Sequence, residues 1–151
     1  MAELIRTNGS DKDFHSLVEH LDRYLSGING EQDAFFSSHN KLHDIHHVVL
    51  FYDDDKPVAC GAFKKYDEES AEIKRMFVLP EYRGKGIASI VLAELENWAA
   101  EEGFQFTVLE TAKTMEPAVN LYKKLGYTFI PNYGQYIGVD LSVCMRKPVK
   151  H

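Results

Sequence analysis

Two glycines and two basic residues stand together in the middle of the chain, at Arg83, Gly84, Lys85 and Gly86. Glycine lets a backbone turn tightly and approach a ligand without a Cβ in the way. The apolar residues that follow recur at helical spacing, so this turn is expected to open a helix whose first amides lack intrahelical partners. Such amides and the helix dipole attract anions, and the two cations add formal positive charge. The stretch therefore predicts a phosphate or pyrophosphate site.

The elements that must position this turn are a strand before it and a helix after it. Residues 72–78 are rich in β-branched and large apolar side chains, and Pro80 ends the strand because proline has no N–H for a sheet ladder. Gly103 is the expected end of the helix. A P-loop pattern is absent, and a Rossmann fingerprint fails because Ser89 stands where its third glycine is needed.

The pattern that does fit is R-x-x-G-x-A, made by Arg83, Gly86 and Ala88 after a strand that ends at residues 76–78. This arrangement resembles motif A of the GNAT superfamily of acyl-CoA-dependent N-acetyltransferases, in which the loop holds the pyrophosphate of coenzyme A. A second segment, residues 118–127, resembles the A-x-x-L/F-Y-x-x-x-G-F/Y pattern of the same superfamily. The resemblance covers roughly residues 46–147 and implies acetyl-CoA as the cofactor.

The resemblance also implies which residues contact this cofactor, through the backbone of the strand end, the glycine turn, the first helical turn and one amide on a later helix. These residues are Met76, Phe77, Val78, Arg83, Gly84, Lys85, Gly86, Ile87, Ala88 and Asn120.

The resemblance makes Tyr122 the candidate general acid. Aminolysis of a thioester expels a thiolate, and a positioned phenol can protonate it. A core aromatic on an amphipathic helix is the alternative interpretation of the same residue.

Glu72 is the candidate general base. An alkylammonium has no lone pair and must lose a proton before it can attack. On a regular strand Glu72 would share a face with Met76 and Val78, since side chains alternate with a period of two. Glu110, at the end of the next predicted strand, is the rival base, and Glu72 could instead be a rim carboxylate paired with a neighbouring cation.

The acceptor side is expected to lie apart from the cofactor side. The first two predicted helices, the second of them around residues 33–43, and the loop 131–138 are the segments left to form it. Tyr133 and Tyr136 in that loop each offer an apolar face and a hydroxyl for a small amine, and Glu110 is a further candidate contact.

Composition limits the remaining possibilities. The 151 residues suffice for one domain, and a formal charge of −6 argues against nucleic acid or an anionic membrane as a partner. No apolar run suggests a membrane span or a secretory signal, so a cytoplasmic protein is expected. Cys60 and Cys144 are expected to be buried free thiols, and His43, His46 and His47 lack the companions of a metal site. The sequence leaves a homodimer open.

The order of predicted elements is α/β in the mixed α+β sense, as one GNAT-like domain over residues 1–151. About seven strands form a mixed sheet flanked by about four helices, with Ser10 or Asp11 capping the first helix. The predicted function is direct transfer of the acetyl group of acetyl-CoA to a primary amine such as an amino acid or polyamine. A protein lysine or N-terminal acetyltransferase, and a non-catalytic coenzyme A-binding module, are the alternatives.

Overall fold

The computed structural model describes residues 2–29 and 42–149. Its strands are β1 (Ala2–Thr7), β2 (His47–Asp53), β3 (Lys56–Lys65), β4 (Ser70–Val78), β5 (Phe106–Ala112), β6 (Thr128–Ile130) and β7 (Ser142–Pro148). Its α-helices are α1 (Lys12–Asn29), α2 (Ile87–Glu101) and α3 (Glu116–Lys124).

The strands form a seven-stranded mixed sheet in the order β1-β2-β3-β4-β5-β7-β6, which confirms the predicted fold class. Three α-helices are present in the described ranges, where about four were predicted for the whole chain. The predicted helix around residues 33–43 lies outside the described residues, apart from a short 3₁₀ turn at Leu42–Asp44.

The chain divides into two compact units. The N-terminal unit comprises Met1–Lys64 and Ile73–Leu95, and the C-terminal unit comprises Lys65–Glu72 and Glu96–His151. That residues 1–151 form a single domain stays a prediction.

The N-terminal unit is an antiparallel meander with a capped first helix. Asp11 accepts hydrogen bonds at Oδ1 from the amides of Asp13 (2.8 Å) and Phe14 (3.3 Å), so it is the predicted N-cap. Helix α1 continues through Gly27 to Asn29. One glycine inside a helix costs only about 1 kcal/mol, which neighbouring helical residues can offset.

A close approach of α2 to β3 depends on Gly61. A Cβ at this position would lie 2.5 Å from Met76 Sδ and 2.8 Å from Leu95 Cδ1. Both are shorter than real Cβ contacts allow, so the glycine lets the helix rest directly on the strand. This contact fixes α2, whose first turn follows the glycine-rich turn.

Strand β4 is not regularly extended throughout. Arg75 has a positive φ of 59°, and its carbonyl accepts a hydrogen bond from the buried Cys60 thiol at 3.2 Å. A residue in the left-handed region interrupts the two-residue alternation of side chains. Glu72 was predicted to share a face with Met76 and Val78 because side chains alternate along a regular strand. Arg75 lies between them, so this alternation is interrupted within β4.

In the C-terminal unit, β5, β7 and β6 are antiparallel, and residues Ser70, Ala71 and Glu72 of β4 pair in parallel with Phe106, Thr107 and Val108 of β5. Gly103 ends α2 with φ 95°, and Gly126 follows α3 with φ 102°, as predicted for both. Pro117 stands in the first turn of α3, where its missing N–H costs nothing.

Candidate active site

The glycine-rich turn has the backbone conformation that only glycine adopts at low cost. Gly84 and Gly86 both have φ 79°, and α2 begins directly after them, with the Ile90 amide bonded to the Gly86 carbonyl at 3.2 Å. A Cβ added at either glycine would meet no heavy atom within 4 Å. The space beside the turn is therefore open, and a larger residue would cost backbone strain before any clash within the chain.

Arg83 is held at the end of β4. Its Nε donates a 2.9 Å hydrogen bond to the carbonyl of Val78, and its guanidinium lies 5.6 Å from the ring centre of Phe77 and 5.0 Å from that of Tyr24. The contact with Tyr24 could not be expected from the sequence. These three contacts fix a positive charge beside the glycine-rich turn.

The other predicted cofactor residues of this unit differ in exposure. Lys85 is exposed, with its ammonium 5.3 Å from the Tyr82 ring centre. Phe77, Val78 and Ile87 are buried, and Met76 and Ala88 are half-buried. In this group, therefore, lysine and the two glycines present the most surface to a ligand.

Tyr122 is half-buried on α3, in the C-terminal unit. Its ring meets that of Tyr127 edge to face, with 5.8 Å between ring centres. Burial raises the pKa of the Tyr122 phenol to about 12, and no residue in the described part of the chain hydrogen-bonds its hydroxyl. Tyr122 therefore holds its proton at neutral pH. Asn120, on the same helix, is exposed.

Tyr127, the last residue of the second sequence pattern, belongs to a buried hydrogen-bonding network that sequence reasoning missed. Its hydroxyl donates to Glu96 Oε2 at 2.9 Å and lies 2.7 Å from Thr107 Oγ1. Lys147 Nζ donates to the other oxygen of Glu96 at 2.9 Å. Burial and the nearby Glu96 raise the pKa of Tyr127. The Tyr127 hydroxyl is therefore held by hydrogen bonds within the protein, whereas the Tyr122 hydroxyl has no such bond to a described residue.

Glu72 and Tyr133 are brought together by the fold. Glu72 is buried, with 8% of its surface exposed, and its Oε2 accepts a 2.8 Å hydrogen bond from the hydroxyl of Tyr133. Burial and the neighbouring Glu72 raise the pKa of Tyr133, so the phenol is the donor. One predicted acceptor residue thus contacts the predicted base.

Glu110 is the second carboxylate of this region. It pairs with Cys144 in the register of β5 and β7, and its Oε2 accepts a 2.6 Å hydrogen bond from the Ser142 hydroxyl. Burial raises the pKa of the Cys144 thiol, and the two carboxylates Glu110 and Glu72 raise it further. Ser142 was not a sequence candidate, because its relation to Glu110 depends on the strand register.

The tyrosines of the 131–138 loop form an edge-to-face aromatic cluster with Tyr66. Tyr133 meets Tyr66 at 4.7 Å and Tyr136 at 5.6 Å between ring centres, both edge to face. Burial, followed by Glu72 and Glu110, raises the pKa of Tyr136 to about 12. Asn132 closes the loop from inside, since its Nδ2 donates to the carbonyls of Tyr136, Val139 and Ser142 at 3.1–3.2 Å.

A cavity of about 330 Å³ adjoins this loop. Its walls are formed by loop residues 138–140, β6, the start of β7 and Lys113. Ser142 and Cys144 belong to this lining, and Ser142 is the residue that holds Glu110. The cavity therefore shares Ser142 with the hydrogen bond that Glu110 accepts.

The side chain of His43 lies outside the described residues, whereas His46 and His47 are described. Within residues 2–29 and 42–149, no group of three or more His, Cys, Asp or Glu side chains is arranged to hold an ion. His46 is exposed and His47 stacks on Phe63 at 4.4 Å. Cys60 and Cys144 are both buried free thiols. No helix in the described ranges is both long and apolar enough to cross a bilayer.

The mixed sheet and the glycine-rich turn before α2 are the parts of the fold that the sequence resemblance predicted. The model of the Acetyltransferase (GNAT) family matches residues 14–127. The chain therefore belongs to this family of acyltransferases, whose cofactor is acetyl-CoA.

Individual relatives agree with this assignment. The chain is similar to an IAA acetyltransferase of Azospirillum brasilense, at 32% identity over 142 residues that cover 88% of each protein. It is similar in structure to a Klebsiella pneumoniae protein assigned as an acyl-CoA N-acyltransferase, at 25% identity with a TM-score of 0.82, covering 99% of this chain and 98% of that one. A GNAT family acetyltransferase of Elizabethkingia anophelis, solved with acetyl-CoA bound, shares the fold at 14% identity and a TM-score of 0.71, covering 98% of both chains.

Proposed function

We propose that this chain transfers the acetyl group of acetyl-CoA directly to the primary amine of a small cationic molecule. The observation that carries the proposal is the pair of carboxylates in the C-terminal unit, Glu72 and Glu110, each held by a hydroxyl donor. A carboxylate can attract an ammonium group and accept its proton. Together with membership of an acetyltransferase family, this favours an amine as the acceptor.

The glycine-rich turn fits the pyrophosphate of the cofactor. The open space beside Gly84 and Gly86 lets the backbone come close to a phosphate, and the first amides of α2 point their dipole towards it. Arg83 and Lys85 supply compensating positive charge. When bound, acetyl-CoA supplies an acetyl group activated as a thioester.

Glu72 takes the proton from the acceptor ammonium. The nitrogen lone pair would then be free to attack the thioester that bound acetyl-CoA supplies. Because Glu72 is buried and already accepts a hydrogen bond from Tyr133, its carboxylate has a restricted orientation. Positioning of this kind supplies part of the rate enhancement, because fewer orientations have to be sampled.

Tyr122 gives its proton to the departing sulfur. Its pKa of about 12 keeps the phenol protonated at neutral pH, so the acid form is the one present when the thiolate leaves. The absence of a hydrogen-bond acceptor for this hydroxyl in the described part of the chain leaves the proton available. Tyr122 thereby neutralises the leaving group.

The acceptor is oriented by Glu110, Tyr133 and Tyr136. Glu110 attracts a positive charge on the acceptor, and the aromatic faces cover its apolar part. Two carboxylates in the same unit disfavour acceptors that carry acidic groups of their own.

The test is release of the coenzyme A thiol from acetyl-CoA in the presence of a library of amines, amino acids, polyamines and lysine peptides. We expect release with small cationic amines, and loss of at least 100-fold in kcat for Glu72→Gln. Glu68→Gln is the matched control, because Glu68 is exposed and pairs with Lys65 on the surface. Release with peptides alone would show a protein acetyltransferase instead, and release with none of the compounds would overturn the proposal.

A further inference from the structure

The hydroxyl of Tyr133 is directed at the carboxylate of Glu72, although 61 residues separate the two in sequence. The bond is 2.8 Å long, and the phenol is the donor, because burial and the nearby carboxylate raise the pKa of Tyr133. A hydrogen bond from a neutral donor to an ionised acceptor is about twice as strong as one between neutral groups. The bond is therefore strong enough to affect the orientation of the Glu72 carboxylate and its affinity for a proton.

The ring of Tyr133 is held in place independently of this bond. Tyr66 packs against it at 4.7 Å with the rings inclined by 60°, and Tyr136 packs at 5.6 Å with the rings inclined by 89°. The next residue, Gly134, has φ 53°, and a Cβ there would lie 3.4 Å from the Tyr66 ring. The loop thus brings Tyr133 to Glu72 in a defined orientation, so the hydroxyl is a fixed donor.

We propose that Tyr133 is a positioning residue that orients the Glu72 carboxylate for proton transfer and stabilises its charged form through a direct hydrogen bond. The proposal rests on the proposed function, in which Glu72 is the base. It assigns to the Tyr133 hydroxyl a task different from the acceptor binding that its place in the 131–138 loop predicts.

The need for such a donor follows from the burial of Glu72. Removing a carboxylate from water disfavours its charged form, whereas a hydrogen bond to that form favours it. Titratable groups that lie near the pair include Glu110 on β5, Cys144 on β7, and Tyr136 and Tyr66 beside the Tyr133 ring. The phenol of Tyr133 donates directly to the Glu72 carboxylate, and a hydrogen bond of this kind favours the charged form of a carboxyl group.

The experiment compares Tyr133→Phe with Tyr136→Phe. Each substitution removes one hydroxyl and keeps the ring, so the aromatic cluster stays packed. The primary measurement is a ¹³C NMR titration of the Glu72 side-chain carboxyl in the free protein, with the signal assigned by its absence in Glu72→Gln. We expect Tyr133→Phe to move the titration midpoint upward by about one pH unit, because the donor to the charged form is lost. Tyr136→Phe should leave it within a few tenths of a unit.

The second measurement is the pH profile of kcat, using the amine that the library screen turns over fastest. The acidic limb should move upward with the NMR midpoint in Tyr133→Phe, and kcat should fall about 10-fold while KM for the amine changes less than twofold. A midpoint that does not move overturns the inference whatever happens to the rate. A higher KM with unchanged kcat also overturns it, because the Tyr133 hydroxyl would then act in acceptor binding and not on Glu72.

Glu72→Gln separates this inference from the proposed function. If Glu72→Gln keeps the wild-type rate and acidic limb, the base is elsewhere and the proposed mechanism fails. If it loses both while Tyr133→Phe leaves the midpoint unmoved, the mechanism stands and only the role of Tyr133 is overturned.

Discussion

Ser142 donates a 2.6 Å hydrogen bond to Glu110 across two neighbouring strands. The strand register explains this contact. Glu110 lies opposite Cys144, and Ser142 is two residues from Cys144, so all three side chains are on the same face of the sheet. A diagonal neighbour at this distance is within reach of a side-chain hydrogen bond. The bond fixes one oxygen of a carboxylate that we assign to acceptor binding.

Removing the Ser142 hydroxyl should weaken acceptor binding. We expect Ser142→Ala to raise KM for the acceptor amine about 5- to 10-fold, since a hydrogen bond to a charged group is lost, while affinity for coenzyme A is unchanged. Thr128→Ala serves as the control, because this exposed hydroxyl on β6 bonds a backbone carbonyl at 3.5 Å. An unchanged KM in Ser142→Ala would show that Glu110 has no part in holding the acceptor.

The glycine-rich turn can be tested with two glycines in similar conformations. Gly86 (φ 79°) and Gly103 (φ 95°) both lie in the left-handed region, and an added Cβ meets nothing within 4 Å at either. Valine at each should cost a comparable 1–3 kcal/mol or so of stability. By calorimetry, Gly86→Val alone should lose at least 10-fold in coenzyme A affinity, because its side chain occupies the space for the pyrophosphate. Equal affinity in the two folded variants would remove the turn from the cofactor site.

Tyr122 and Tyr127 form a second matched pair. Tyr122→Phe should lower kcat by roughly 10- to 1000-fold with little change in stability, because its hydroxyl has no hydrogen-bond partner in the described part of the chain. Tyr127→Phe should instead lower the free energy of unfolding by about 1–3 kcal/mol, because its hydroxyl bonds Glu96 and lies against Thr107. Denaturation curves and steady-state rates distinguish the two effects. A wild-type kcat in Tyr122→Phe would mean that another group protonates the sulfur.

The buried thiol of Cys60 predicts a loss of stability in alkali. Burial raises its pKa from 9.0 to about 12, so the folded state binds the proton more tightly than the unfolded state. This contribution is complete below pH 9 and is lost as the pH rises towards 12. Urea unfolding between pH 8 and 10.5 should therefore show a steeper decline in wild type than in Cys60→Ala, by about 2 kcal/mol over the range. If the free energy of unfolding declined in parallel in the two proteins, the Cys60 thiol would not be the cause of the alkaline loss of stability.

The sequence by itself determined the features that depend on local backbone chemistry. Asp11 caps α1, Pro80 follows the end of β4, and Gly103 and Gly126 stop two helices, because each residue type suits one backbone requirement. The turn at Gly84 and Gly86 belongs to the same class. Spacing along the chain carries such information directly, which is why the family resemblance could be seen in short patterns.

Only the tertiary structure decided which polar side chains meet. Tyr133 reaches Glu72 and Ser142 reaches Glu110 over long separations in sequence, through a loop path and a strand register that no local pattern encodes. The positive φ of Arg75 likewise interrupts the alternation that the apolar pattern of β4 predicts. Strand pairing is set by the burial of whole faces and loop paths by packing, so a shift of a single residue would exchange these partners. The residue types in the candidate site could therefore be predicted, whereas the hydrogen bonds between them follow from packing of the whole unit.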